Sequence, residues 1–150
     1  MQFTSAVAVV TGAAGGIGSA LGERFHDAGA TVVVSDRPGT GVERLAAKLN
    51  ARRSGSAHAV VADVSREEEN ARLVDEARRL AGRIDLFFAN AGVALGSDLT
   101  ATEADWMTSF DVNVHAHRWA AKYLLPEWLA AGRGYFASTA SAAGLSLIHI

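Results

Sequence analysis

The sequence predicts an α/β protein with a doubly wound parallel sheet and helices on both faces. Two observations carry this prediction. Short runs rich in β-branched residues alternate with longer segments rich in Ala, Leu, Arg and Glu, as in consecutive βαβ units. A glycine-rich turn also follows the first apolar run, where such folds pass sharply from a strand into a helix.

The first two units have the most regular pattern. Residues 6–10 are typical of a buried strand, and helical apolar spacing follows over residues 16–28. The same alternation predicts further strands at 31–35, 57–62, 84–89 and 135–139, and helices at 42–53 and 66–80. Residues 102–131 are helical but amphipathic in two registers, so we predict two helices broken near 111–114.

Composition restricts the function classes. The 150 residues are 49% hydrophobic and carry a formal net charge of -2, without the positive field that nucleic acids or anionic membranes require. The sequence has no cysteine, so disulfides and thiolate metal ligands are excluded, and we expect a cytoplasmic protein. No run of residues is long and apolar enough to predict a membrane span.

The glycine-rich turn is the first candidate site. It reads Thr-Gly-Ala-Ala-Gly-Gly-Ile-Gly over residues 11–18, between the first strand and the first helix. Free helix N–H groups face outward there, and glycine lets the backbone approach a phosphate closely. Ala14 stands at the third position of the Gly-x-Gly-x-x-Gly dinucleotide pattern, so the spacing differs from it. A tight turn without a ligand is the alternative.

Asp36 ends the second strand, 18 residues beyond Gly18. An acidic side chain at about this distance hydrogen-bonds the adenosine ribose and repels a 2′-phosphate. Arg37 could accommodate such a phosphate, so NAD is favoured over NADP without excluding it. Because Pro38 and Gly39 follow, Asp36 could also be only a turn former.

Five motifs in order resemble the short-chain dehydrogenase/reductase family. They are Thr11-Gly12-x-x-x-Gly16-Ile17-Gly18, Asp63-Val64, Asn90-Ala91-Gly92, Asn113 and Ser141-Ala-Ala-Gly144. The resemblance implies a Rossmann-like fold and an oxidoreductase that transfers a hydride between NAD(P)(H) and an alcohol or carbonyl substrate. It implies that Gly12, Gly16, Ile17 and Gly18 lie under the pyrophosphate and that Asp36 binds the adenosine ribose. It also implies that Asp63 and Val64 lie beside the adenine and that Asn90, Ala91 and Gly92 line the crevice near the cofactor's ribose.

The resemblance also implies two catalytic residues. Asn113 matches the family asparagine that holds a helix kink and a proton-relay water, and Ser141 matches the serine that hydrogen-bonds the reacting oxygen. A hydroxyl donor suits that place because charge develops on the oxygen during hydride transfer. Ser138 and Ser146 are weaker candidates. Asn113 could instead be only a helix-breaking residue, and Ser141 only a turn cap.

The sequence departs from the family pattern in two places. Ala89 stands where the family often has a second asparagine, and the family's Tyr-x-x-x-Lys motif, which should follow Ser141, does not occur before residue 150. We therefore expect an incomplete Rossmann-like domain over 1–144, missing its C-terminal part and inactive by itself. Residues 145–150 resemble a translated sequencing adapter and are expected to be a non-native tail.

Partners and alternatives follow from the same features. A small-molecule alcohol or ketone is the expected substrate, and a homo-oligomer, dimer or tetramer, the expected state when full-length. A non-catalytic dinucleotide-binding module and a carbohydrate-modifying relative are the alternatives.

His115 and His117 lie two apart rather than three or four, so no metal is expected. The three tryptophans are predicted to pack in the core or at a subunit interface: Trp106, Trp119 and Trp128.

Overall fold

The computed structural model describes residues 3–95 and 99–141. The predicted tail at 145–150 and the end of the serine motif, from 142 on, lie outside the described residues. Five parallel strands form one sheet: β1 Val7–Thr11, β2 Thr31–Asp36, β3 Ala57–Val61, β4 Leu86–Ala89 and β5 Tyr135–Ser138. These strands agree with the predicted ones to within two residues at each end, so the predicted parallel sheet is confirmed.

The strand order is β3-β2-β1-β4-β5, so the chain changes direction across the sheet between β1 and β4. Val9 of β1 pairs with Val33 on one side and with Phe87 on the other. In a doubly wound sheet the crevice outside the carboxyl ends of the strands, at this change of direction, is where ligands bind. The topology therefore places any site between the ends of β1 and β4.

Helices cover both faces of the sheet, as predicted. One core contains Val42, Leu45 and Leu49 and packs the first two helices on one face. The other contains Leu73 and Leu124 and packs later helices on the opposite face. The helices are α1 Gly16–Asp27, α2 Val42–Arg52, α3 Glu67–Ala81, α4 Glu103–Phe110 and α5 Ala116–Ala131.

Charges and caps fix the ends of these helices. Three glutamates occupy the first turn of α3, and Arg78 and Arg79 lie in its last turn, where each sign is stabilised by the helix dipole. At the start of α4, Thr102 and Asp105 form a reciprocal capping box. These signals explain why the boundaries of α3 could be predicted closely from sequence.

The predicted interruption between two helices near 111–114 is confirmed in position, but the backbone there stays helical. Residues Asp111–His115 form a π-helical turn that joins α4 to α5, and the backbone stays helical at Asp111 and Ala116. A π turn takes up an extra residue without ending the helix, and it rotates the residues that follow relative to those before it. The two amphipathic registers predicted for residues 102–131 therefore belong to the segments before and after the π turn, α4 and α5.

The three tryptophans differ in burial. Trp128 is buried, and its Nε1–H donates to the carbonyl of Ile84 over 2.8 Å. Trp119 is buried too, whereas Trp106 on α4 is 57% exposed, so it does not pack in the core of this chain. Over residues 3–95 and 99–141, we find no helix with the length and apolar content to cross a membrane.

Candidate functional site

A crevice of about 690 Å³ opens at the carboxyl ends of the strands. We call it the carboxyl-edge crevice. It brings together residues from six separate stretches of sequence. Nine of the ten predicted cofactor-binding residues, all except Gly18, line it: Gly12, Gly16, Ile17, Asp36, Asp63, Val64, Asn90, Ala91 and Gly92. Among the described residues, Gly18, Asn113 and Ser141 are not part of the lining.

The glycine turn forms one wall of the carboxyl-edge crevice. Gly12 has a φ of +65°, and a Cβ there would lie 2.8 Å from Cα of Ala91, so the turn and the segment after β4 could not come together with a larger residue. Gly16 also has a positive φ, +52°, but an added Cβ would meet nothing within 4 Å. The space beside Gly16 is open to the crevice, as a cradle for a phosphate group requires.

Gly18 lies behind the turn. An ideal Cβ at this position would overlap the carbonyl oxygen of Gly12 and would lie 2.7 Å from Nδ2 of Asn90. A glycine is therefore needed for α1 to start so close to the end of β1. Gly18 shapes the turn from behind and Gly12 packs closely against Ala91, while Gly16 faces the open space.

Asp36 ties the end of β2 to the glycine turn. One carboxylate oxygen accepts a hydrogen bond from the backbone N–H of Ala14 over 2.9 Å, and the other accepts from the N–H of Arg37 over 2.8 Å. The backbone N–H of Ala13 also donates to the carbonyl of Ser35 over 3.0 Å. The carboxylate is thus fixed at the crevice wall before any ligand arrives.

Asp63 occupies the equivalent place after β3. Its Oδ1 accepts hydrogen bonds from the backbone N–H of Ser65 over 3.1 Å and from the Ser65 hydroxyl over 2.8 Å. This local turn leads into α3 and leaves Val64 buried against the core. Asp63, Val64 and Ser65 therefore form a rigid side wall of the crevice.

Asn90 joins the ends of three strands. Its Nδ2 donates to the carbonyl of Thr11 over 3.0 Å, and its Oδ1 accepts from the Thr139 hydroxyl over 2.8 Å. The Thr11 hydroxyl in turn accepts from the backbone N–H groups of Asn90 and Ala91. These contacts lock β1, β4 and β5 together at the floor of the crevice.

Sequence reasoning missed the roles of Thr11 and Thr139. In the sequence, Thr11 stands out only as part of the glycine motif, and Thr139 only as the predicted end of a strand. Both are hydroxyl residues at the carboxyl ends of strands β1 and β5, where neighbouring backbone groups lose their ladder partners. That position is the signal that could have singled them out.

Asn113 lies in the π-helical turn and contacts the segment that follows β4. Its Oδ1 accepts from the backbone N–H of Val93 over 2.9 Å, and its Nδ2 donates to the Val93 carbonyl over 2.9 Å. Val93 lines the crevice. The side chain of Asn113 therefore holds this wall in place, and the π turn is what presents it there.

Ser141 follows β5 by three residues and is exposed at the same edge of the sheet as Thr139. Tyr123 and Tyr135 lie elsewhere. The Tyr123 hydroxyl donates to Glu67 across the α3–α5 contact over 3.1 Å, and Tyr135 begins β5, at the amino-terminal edge of the sheet. No group of three or more His, Asp or Glu side chains suitable for a metal ion occurs in the described part of the chain.

The parallel sheet, its change of strand direction and the glycine-walled crevice define a Rossmann-like protein. The model of the short chain dehydrogenase family matches residues 6–149. The chain therefore belongs to the short-chain dehydrogenase family.

Relatives of known sequence agree with this assignment. The chain is 36% identical over 146 residues to a meso-2,3-butanediol dehydrogenase of Serratia marcescens, covering 97% of this chain and 57% of the relative. It is 42% identical over 136 residues to a 1-deoxy-11-beta-hydroxypentalenate dehydrogenase of Streptomyces exfoliatus, covering 89% of this chain and 49% of the relative. The chain thus spans about half to three fifths of these proteins.

Solved structures share the fold closely. A short chain dehydrogenase/reductase from Burkholderia phymatum, solved in complex with NAD, superposes with a TM-score of 0.92 at 32% identity, covering 98% of this chain and 53% of that one. An NADPH-dependent 3-quinuclidinone reductase from Rhodotorula rubra superposes with a TM-score of 0.88 at 26% identity, covering 99% and 57%. Relatives of this fold therefore include users of either nicotinamide cofactor.

Proposed function

We propose that the chain is the cofactor-binding part of an oxidoreductase that transfers a hydride between NAD(P)(H) and a small alcohol or carbonyl compound. The observation that carries the proposal is the carboxyl-edge crevice, in which a glycine turn and an acidic residue at the end of β2 face the same space. Family membership supports the reaction class. The substrate itself is set by loops that vary between members of such folds.

The residues of the crevice fit a dinucleotide. The open side of Gly16 and the start of α1 suit a pyrophosphate, because the free N–H groups and positive end of a helix attract anions. Asp36 suits the adenosine ribose, and Asp63 and Val64 suit the adenine. Asn90, Ala91 and Gly92 would line the crevice near the cofactor's ribose. When bound, the nicotinamide ring would supply the hydride donor or acceptor.

We propose NAD as the preferred cofactor. The Asp36 carboxylate is held in place by Ala14 and Arg37. A fixed negative charge at this position accepts hydrogen bonds from ribose hydroxyls and repels a 2′-phosphate. Because Arg37 also lines the crevice and could pair with a 2′-phosphate, we expect Asp36 to weaken NADP binding without abolishing it.

Two residues of the chain would serve the chemistry. The Ser141 hydroxyl would donate a hydrogen bond to the substrate oxygen, on which negative charge develops during reduction. Asn113 would act as a positioning residue, because its amide already holds the Val93 backbone on both the donor and acceptor sides. The tyrosine and lysine that complete the family's proton transfer would lie in sequence beyond residue 150.

A non-catalytic dinucleotide-binding module is the second candidate for the chain as given. Tyr123 is engaged with Glu67, and Tyr135 lies at the opposite edge of the sheet from the carboxyl-edge crevice. Neither tyrosine can reach a substrate there. We propose that the 150-residue chain by itself binds cofactor without turnover.

The remaining partners are also proposals. The exposed apolar side chains of Trp106, Met107, Phe110 and Val114 follow one another along α4 and the π turn, which supports a homo-oligomer that buries them. The absence of cysteine and the family assignment support a cytoplasmic location.

The test compares the chain with the longer product of its gene. The gene is sequenced past the codon for Gly144, and both proteins are assayed for NAD reduction with a panel of secondary alcohols and diols. We expect a Tyr-x-x-x-Lys within about twenty codons, turnover by the longer protein and none by the 150-residue chain. A gene that ends without the motif would leave only the binding module.

A further inference from the structure

A second crevice opens at the opposite edge of the sheet, where the strands begin. It has a volume of about 770 Å³, and its walls come from the turn before β1, the segment between α3 and β4 and the segment between α5 and β5. We call it the amino-edge crevice. We propose that it binds a small anion bearing a phosphate or carboxylate group, independently of the carboxyl-edge crevice.

The first observation is an excess of positive charge. Arg83 and Arg133 line the amino-edge crevice, and Asp85 is the only acidic residue among the described residues that do so. Both oxygens of Asp85 already have fixed partners, because Oδ1 accepts from Arg83 Nη2 and Oδ2 accepts from the backbone N–H of Val7 over 2.9 Å. The crevice therefore offers cationic donors in a chain whose formal net charge is -2.

The second observation is a buried donor without an acceptor. Nη1 of Arg83 is buried, and over the described residues it has no hydrogen-bond partner. A buried polar group without a partner is costly, and more so when it is charged. The Arg83 side chain as a whole is 26% exposed, so a small rotation of its planar guanidinium would bring Nη1 to a phosphate or carboxylate oxygen in the crevice while Nη2 remains on Asp85.

The third observation is an unusual backbone conformation in the crevice wall. Ser5 has a φ of +70°, and it is the only described residue other than glycine with a positive φ. It lies in a turn closed by the N–H of Ala6 donating to the carbonyl of Phe3 over 2.9 Å. Glycine is favoured at such a position, so a serine there carries a cost in backbone conformational energy. Its hydroxyl, with that of Thr4, adds neutral donors to the lining.

Arg133 is fixed at the rim by the end of α5. The helix terminates at Gly132, which has a φ of +62°, and the backbone N–H of Arg133 donates to the Trp128 carbonyl over 3.1 Å. Gly134 packs so tightly on the Trp128 ring that a Cβ there would overlap it. The segment that carries Arg133 is therefore held in one conformation, while its side chain remains exposed.

The experiment uses the 150-residue chain with inorganic phosphate and citrate as probes. Binding is followed by NMR through the Nε–H signals of Arg83 and Arg133, with the backbone signals of Gly15 and Gly16 reporting the other crevice. The variant is Arg133→Gln, which removes an exposed charge. Arg79→Gln is its matched control, because Arg79 is equally an exposed arginine but lies on the outer surface of α3.

We expect saturable shifts of both arginine signals with at least one probe, and an affinity about tenfold lower in Arg133→Gln. The Arg79→Gln variant should bind as the parent does. The proposal is overturned by shifts confined to Gly15 and Gly16, by equal losses in both variants, or by shifts that never saturate. Saturating the carboxyl-edge crevice with NADH should leave the arginine shifts intact, so the two proposals fail separately.

Discussion

At the scale of single residues, Asp36 carries the proposed choice between NAD and NADP. Asp36→Asn removes the negative charge and keeps one acceptor oxygen, for either the Ala14 or the Arg37 backbone N–H group. We expect the ratio of NADP to NAD affinity to rise by about tenfold, since repulsion of the 2′-phosphate is lost and Arg37 remains. Calorimetric titration of both cofactors into parent and variant measures the ratio.

Asp75→Asn is the control for this change. Asp75 is an exposed carboxylate of α3, and its side chain is paired only with Arg78 among the residues the structure describes. The Asp75→Asn substitution should therefore leave the affinities for NAD and NADP unchanged. An unaltered NADP to NAD ratio in Asp36→Asn would remove Asp36 from the cofactor site.

His26 is a buried titratable residue outside both crevices. Its Nε2 lies 2.7 Å from Oγ of Ser56, and because the Ser56 hydroxyl donates to the Arg53 carbonyl, the imidazole must be the donor. Burial lowers the pKa of His26, and the nearby charges of Arg53 and Arg52 lower it further. The folded state therefore holds this imidazole neutral.

This lowered pKa predicts a pH dependence of stability. The unfolded chain, with an ordinary His pKa, takes up the proton first as the pH falls. The contribution of neutral His26 is thus fully present above about pH 6.5 and is lost as the pH falls toward the folded-state pKa, at up to about 1.4 kcal/mol per pH unit. Urea unfolding between pH 5 and 8 measures the slope.

His26→Gln tests the assignment, because an amide can still donate to Ser56 but cannot titrate. We expect the stability curve to flatten below pH 6.5. His117 contributes in the same range, since burial lowers its pKa too, so His117→Gln should remove a separate part of the slope. A His26→Gln curve parallel to that of the parent would rule out His26 as a source.

At the scale of secondary structure, Arg78 joins α3 to α5. Its Nε donates to Glu127 over 2.8 Å and its Nη2 to the Tyr123 carbonyl over 2.9 Å, with the side chain only 30% exposed. Arg78→Gln should lower the free energy of unfolding by about 1–2 kcal/mol, because charged hydrogen bonds to partly buried acceptors are lost. Thermal or urea unfolding gives the value.

Arg79→Gln is the neighbouring comparison. Arg79 is 66% exposed and pairs with Glu76 within the same helix, and such surface pairs contribute within about 0.5 kcal/mol. Equal destabilisation by the two variants would mean that the α3–α5 contact is not held by Arg78.

Much of the architecture was predictable because its signals are local. Strand β1 is a continuous apolar run, the glycine turn follows it at once, and α3 carries glutamates at its start and arginines at its end. These features determine backbone conformation through neighbours in sequence. Nine of the ten residues predicted from the motifs line one crevice at one edge of the sheet, and their role in cofactor binding remains a prediction.

The missed features depend on contacts between distant residues. The interruption near 111–114 is predicted from sequence, but its π-helical form at Asp111–His115 is not, because its benefit is the contact of Asn113 with Val93. Thr139 matters because β5 lies beside β4, which brings its hydroxyl to Asn90, 49 positions earlier. Trp106 is exposed although tryptophan is usually buried, and no neighbouring residue in sequence indicates this.

At the scale of the whole molecule, the exposed apolar surface of α4 predicts self-association. Trp106 and Phe110 are 57% and 49% exposed, and their rings lie 6.4 Å apart on adjacent turns. We expect the chain to dimerise or aggregate in a concentration-dependent way in sedimentation experiments, because burial of such rings is favourable. The double variant Trp106→Gln/Phe110→Gln should shift the chain toward monomer.

Leu129→Gln is the control for general surface polarity. Leu129 is 77% exposed on α5, and its replacement should leave self-association by α4 unchanged. A chain that is monomeric at all concentrations and melts cooperatively would contradict the predicted association.

The central claim is that the carboxyl-edge crevice binds a nicotinamide dinucleotide, and calorimetric titration of NADH into parent and Gly15→Glu tests it most directly. Gly15 lines the crevice with an extended φ of -159°, and an added Cβ would meet nothing within 4 Å, so the glutamate fits without strain. We predict saturable binding by the parent, weakened at least about tenfold in the variant without loss of thermal stability. Absence of NADH binding, or equal binding by both proteins, would contradict the account.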